Sequence, residues 1–275
     1  MRKQEALWYI VSIFRNKIKN KRPSVLDFDI DNRINKHWLE QKFGLNYNGE
    51  CICSDVGYEL KIESEKMINF GDWTPNYYIY NQTDYLEIFP GNTPAERRVS
   101  FLLMFAGDFD RNNRYYWNGE NCIQTKCSNY CGLILRVEDN SDISIIYNFS
   151  EDKRINKYEV VDFRLQKENV ILAQWFGRKN TKVKRNGIFN GRSLQSRFED
   201  KYEGKGFCVV KSDHQGYYRS IKFGYKLTFR DWVQQVEEGN VIYSCEMNAE
   251  NHRTYARWES ANNIYWDRVA NIEIK

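Results

Sequence analysis

Ser54-Asp55-Val56-Gly57-Tyr58-Glu59-Leu60-Lys61-Ile62 alternates apolar and polar residues toward its C-terminal end. A β-strand turns successive side chains to opposite faces, so Val56, Tyr58, Leu60 and Ile62 share one face. Glu59 and Lys61 share the other, with Asp55 just upstream. Two carboxylates and one ammonium gathered in this way can hold a hard divalent cation and act on a phosphate. That is the minimal equipment of a metal-dependent nuclease. The competing reading is a surface strand with an exposed ion pair, contributing about 0.5 kcal/mol.

The Glu-x-Lys pattern is not rare in this chain, recurring for example at Glu151 with Lys153, Glu199 with Lys201, and Glu203 with Lys205. Those pairs fall in a loop or near a helix end, where charged side chains are normally solvated. Among these four pairs, Glu59 and Lys61 alone lie on a strand whose other face is consistently apolar, with an Asp upstream beside a Gly.

At 275 residues, with 41% hydrophobic and 28% charged side chains, the chain is globular with a sizeable core. The formal charge of +4 is mild. It does not demand a nucleic-acid partner, since an acidic cation site and a basic groove average toward neutrality. Basic clusters at Lys17, Lys19, Lys21 and Arg22, and at Arg178, Lys179, Lys182, Lys184 and Arg185, are either solvated surface or DNA contacts. No apolar run reaches the ~18–20 residues that span a bilayer. The apolar stretch 6–14 ends at Arg15 without a small-residue cleavage site, so a cytoplasmic protein is expected. Seven cysteines, an odd number, argue for reduced thiols. Cys122, Cys127 and Cys131 invite a zinc reading, but their spacing is not that of a usual ligand pair and His is scarce. Packed cysteines are the plainer expectation.

Helices are expected at 4–18 and about 32–43, the second stopped by Gly44. Strand signals fall at 56–63, 99–106, 132–138, 143–149 and 170–176, with 132–138 and 143–149 joined as a hairpin through Asp139-Asn140-Ser141-Asp142. A helix fits 193–203, and a second hairpin spans 206–211 and 217–223 around Gln215-Gly216. Thr228 with Asp231 opens a last helix that ends near Gly239. There is no βαβ repetition, so a doubly wound cofactor-binding sheet is not expected.

Helix and strand together carry a family resemblance. Trp38-Leu39-Glu40-Gln41-Lys42-Phe43-Gly44, followed by Asp55-Val56-Gly57-Tyr58-Glu59-Leu60-Lys61, resembles the MvaI/BcnI family of restriction endonucleases. It is similar also to the related mismatch-repair nickase MutH. In that group a helix ending Leu-Glu-x-x-x-Gly precedes an Asp, a Gly and a Glu-Leu-Lys strand. The match covers roughly residues 33–63, and Tyr116-Trp117-Asn118-Gly119 with Cys122 and Cys131 adds to it. One departure is that only three residues separate Asp55 from Glu59, which is short for the group.

The resemblance implies an α/β fold of the restriction-endonuclease-like, PD-(D/E)xK class, a central mixed β-sheet flanked by helices. One endonuclease domain would fill residues 1–275, with a catalytic lobe over about 1–177 and a DNA-recognition lobe over about 178–275. Asp55 and Glu59 would ligate Mg2+, Lys61 would orient the attacking water, and Glu40 would support the metal site. From the residues alone, Glu40 reads equally as a surface ion pair with Lys36 one turn earlier. The partner would be double-stranded DNA, cut at a short specific sequence by a monomer, with a cognate DNA methyltransferase acting on the same site. Lys179, Lys182, Lys184, Arg185, Arg253 and Arg257 carry chemistry suited to DNA contact. Two other readings stand beside this one: a strand-nicking repair endonuclease, and a DNA-binding module without catalysis.

Overall fold

Ala6, Ile10, Val11, Phe14 and Ile18 recur at helical spacing, and all are buried. In the computed structural model they begin the chain's first core. The structure describes residues 3–23, 32–44, 57–62, 67–106, 108–109, 114–117, 121–178, 191–224, 226–248, 254–261 and 269–275.

In chain order the elements open with α1 (Lys3–Ile13), continued by a π-helical turn at Phe14–Ile18, then α2 (Asn32–Phe43). Strands β1 (Tyr58–Ile62), β2 (Met67–Asp72) and β3 (Tyr77–Tyr78) precede α3 (Pro94–Phe105). There follow β4 (Asp108–Phe109), β5 (Arg114–Trp117), β6 (Cys131–Val137), β7 (Ile143–Asp152), β8 (Val170–Trp175) and α4 (Leu194–Tyr202). The chain ends with β9 (Gly206–Ser212), β10 (Tyr218–Gly224), α5 (Phe229–Glu237), β11 (Ile242–Asn248), β12 (Thr254–Ala261) and β13 (Ala270–Ile274). These elements form two compact units that interleave along the sequence. The first takes residues 1–68, 200–228 and 260–275, and the second 69–199 and 229–259.

The first unit holds a mixed sheet in the order β1-β9-β10-β13. β1 runs parallel to β9, while β9 with β10 and β10 with β13 are antiparallel. Cys208, Val210, Ile221 and Phe223 of the sheet pack on α1, the π-helical turn and α2, through Ile10, Phe14, Ile18, Leu39 and Phe43. Each such large side chain contributes roughly 1.5–3 kcal/mol on burial. Gly44 takes φ 87°, the left-handed conformation that lets α2 stop, and its N–H returns to Gln41 O at 3.1 Å. The expected mixed sheet flanked by helices is therefore present, and α2 begins and ends where the sequence puts it.

The second unit carries a five-stranded sheet, β2-β12-β11-β5-β4, and a four-stranded antiparallel sheet, β3-β8-β7-β6. Its core absorbs much of the aromatic content. Trp175 lies edge-on to Tyr243 and Trp258, and Trp232 contacts Trp73, Phe198 and Trp258. Two buried indoles are satisfied by backbone: Trp175 Nε1 donates to Trp73 O at 2.7 Å and Trp117 Nε1 to Phe105 O at 2.9 Å.

The β6–β7 and β9–β10 hairpins match the expected ones. The stretch 99–106, expected as a strand, is instead the body of α3. The helix is fixed upstream of the apolar run. Thr93 Oγ1 accepts from Glu96 N at 3.2 Å, Glu96 Oε2 accepts from Asn92 N at 2.7 Å, and Pro94 opens the first turn. A short apolar run reads equally as strand or helix until such a cap is recognised. Among the described residues, no helix is long and apolar enough to cross a membrane.

Candidate active site

β1 obeys the period-two reading. Tyr58 and Leu60 pack against the helical core, and Tyr58 lies edge-on to Phe223 at 5.5 Å. Glu59 and Lys61 leave from the opposite face. In the parallel register Glu59 stands beside Phe207 and Lys61 beside Val209, both fully buried. Phe207 lies over Gly224 of β10, where a Cβ would fall inside the ring, so only glycine leaves that space.

Lys61 Nζ lies 3.4 Å from Glu59 Oε1, with side-chain exposures of 8% and 17%. The exposed surface pair weighed from the sequence is thereby excluded, because both groups are largely withdrawn from water. The end of α4 completes the cluster. Lys201 Nζ lies 3.7 Å from the same carboxylate oxygen, and the Tyr202 ring sits beneath the Lys61 ammonium at 5.3 Å. Burial, then repulsion from Lys201, holds the Lys61 pKa well below its ordinary 10.5, against the opposing pull of Glu59. Desolvation of a charged lysine is costly, and a fold retains such a group only when it is compensated or used.

Lys201 and Tyr202 were not singled out from the sequence. From the sequence Glu199 with Lys201 reads as solvated charge near a helix end, yet Lys201 reaches Glu59 on β1. No local sequence signal marks them, because the burial of Tyr202 and the nearness of the helix end to β1 follow only from the placing of α4 before β9.

Glu40 is half-buried on α2, next to Leu39, which is in the core. Asp55 lies outside the described residues, as do Lys179, Lys182, Lys184, Arg185 and Arg253. Arg257 is half-buried on β12, with a guanidinium nitrogen 3.7 Å from Glu246 Oε1. Of the cysteines, Cys131 is buried with its thiol directed at Ala106 O at 3.4 Å, whereas Cys127 is exposed. Among the described residues, no three His, Cys, Asp or Glu side chains gather as a metal-binding group. Mg2+ does not require one. It keeps several waters and takes one or two carboxylates with substrate oxygens, so a strand carboxylate such as Glu59 is of the right donor chemistry.

A mixed sheet backed by helices, with a carboxylate and a buried lysine two positions apart on one strand, is the frame of the restriction-endonuclease-like nucleases. The chain matches the LlaMI restriction endonuclease family over residues 24–274 and belongs to that family. It is 34% identical over 264 residues to the type II restriction enzyme ScrFI of Lactococcus lactis subsp. cremoris, covering 94% of this chain and 95% of that enzyme. Among solved structures it aligns with the restriction endonuclease MvaI in the absence of DNA (TM-score 0.42, 11% identity, 98% of each chain). It also aligns with the complex of MvaI and its cognate DNA substrate (TM-score 0.49, 11% identity, 99% of this chain and 97% of that one).

Proposed function

We propose that this chain is a type II restriction endonuclease that hydrolyses phosphodiester bonds of double-stranded DNA at a short specific sequence, using Mg2+. The observation that carries the reading is the Glu59–Lys61 pair, withdrawn from water on one sheet face in a member of a restriction endonuclease family. Glu59 and Asp55 would hold the cation. When bound, it supplies Lewis-acid polarisation of the phosphodiester and lowers the pKa of a coordinated water. Lys61, held beside Glu59 and over Tyr202, orients the attacking water and offsets charge developing on the phosphate. Glu40 adds acidic support from α2.

Base reading is assigned to the C-terminal part of the chain. Lys179, Lys182, Lys184, Arg185, Arg253 and Arg257 offer the cationic donors that contact phosphates and guanine edges. The same reading makes the protein a cytoplasmic monomer, paired with a cognate methyltransferase that protects the host's own sites.

The test is digestion of unmethylated phage and plasmid DNA by the purified protein, with Mg2+ or with EDTA, followed by sequencing of the ends. Discrete Mg2+-dependent fragments with common termini are expected. One nick per site would move the assignment to a strand-nicking enzyme. Intact DNA with folded protein, across methylated, hemimethylated and unmethylated substrates, would overturn it.

A further inference from the structure

Lys61 and Lys201 approach the same oxygen of Glu59, at 3.4 and 3.7 Å, but are held differently. Lys61 keeps 8% of its side chain exposed and sits over the Tyr202 ring. Lys201, at the end of α4, keeps 33% exposed, so its long side chain can withdraw into solvent. A carboxylate waiting for a cation in a partly desolvated site needs a counter-charge, and a lysine with an open route to water supplies one that can leave.

We infer that Lys201 is the resident counter-cation of Glu59 in the metal-free protein, giving up the carboxylate when a divalent cation binds. It is a positioning residue that acts through Glu59. The inference rests on the reading of Glu59 as a cation ligand. Removing the ammonium removes a competitor, so Lys201→Met should bind divalent cations more tightly than the native chain. The gain should be about tenfold, well below the unscreened Coulomb value because Lys201 is partly solvated. Lys201→Arg, which restores the charge, should return affinity to within roughly twofold of native.

Isothermal titration of the full chain with Mn2+ and with Ca2+, in the absence of DNA, reads this without any cleavage. The expected order is Lys201→Met tightest, native and Lys201→Arg similar, and Glu59→Gln without binding. Thermal melts establish that each variant is folded, and Lys201→Gln stands in should the Met variant fail to fold. Equal or weaker binding by Lys201→Met, with binding lost in Glu59→Gln, overturns the role of Lys201 and leaves Glu59 as ligand. Binding that survives in Glu59→Gln, or no binding by native and Lys201→Met alike, overturns both.

Discussion

Glu59 and Lys61 leave β1 on the same face and meet at 3.4 Å, where neither is more than one-fifth exposed. A lysine kept there for stability would be a poor investment, because its desolvation opposes folding and Glu59 retains a second ammonium from Lys201. Lys61→Met is therefore predicted to be neutral or to stabilise the fold by about 1 kcal/mol while abolishing cleavage. Urea denaturation beside a cleavage assay checks it, and a marked loss of stability would make Lys61 a structural residue.

Phe207 stands beside Glu59 in the β1–β9 register and fills the space that Gly224 leaves on β10. Gly224→Ala is predicted to cost about 1–3 kcal/mol through overpacking. In the Phe207→Ala background the same change should cost much less, a coupling that a double-mutant cycle measures by the shift in denaturation midpoint.

Asp152 ends β7 with its side chain fully buried. Arg154 Nη2 lies 2.6 Å from Oδ2, and the Tyr147 hydroxyl donates to that oxygen at 2.9 Å. Burial, the largest single influence, pushes the carboxyl pKa up, but the hydrogen bonds and charge of Arg154 outweigh it and hold the pKa below the ordinary 3.8. Such a group contributes stability above its unfolded pKa and loses it as pH falls through the lower folded value. Asp152→Asn should destabilise the chain by about 3 kcal/mol at neutral pH. It should also flatten the fall in stability below about pH 4, as followed by denaturant midpoints across pH.

Thr93 caps α3, and Thr93→Ala should cost about 1 kcal/mol. Thermal melting of the variant checks this, and an unchanged midpoint would remove the cap from the account.

That cap also decides the one stretch whose local pattern favours the wrong element. The run Phe101-Leu102-Leu103-Met104-Phe105 is apolar enough for a buried strand, and only Thr93, Pro94 and Glu96 upstream settle it as helix. β1, α2 with its Gly44 stop, and both hairpins were legible because local pattern and burial agree there. β12 was missed although Ala256 and Trp258 alternate as buried residues with half-buried Arg257 and Glu259, because the surrounding Arg, Asn and Tyr masked the period. Lys201 was not legible at all. Its approach to Glu59 depends on β9 lying parallel to β1, a pairing between strands far apart in the chain that no local periodicity encodes.

The proposed division of labour has Glu59 and Lys61 performing cleavage rather than supporting the fold. Its most direct test compares native, Glu59→Ala and Lys61→Ala proteins on one duplex carrying the mapped site, measuring cleavage in Mg2+ and binding in Ca2+. Each variant should cut at least ~100-fold more slowly while binding the duplex within a few-fold of native. Near-native cutting by either variant would make the Glu59–Lys61 pair structural and not catalytic.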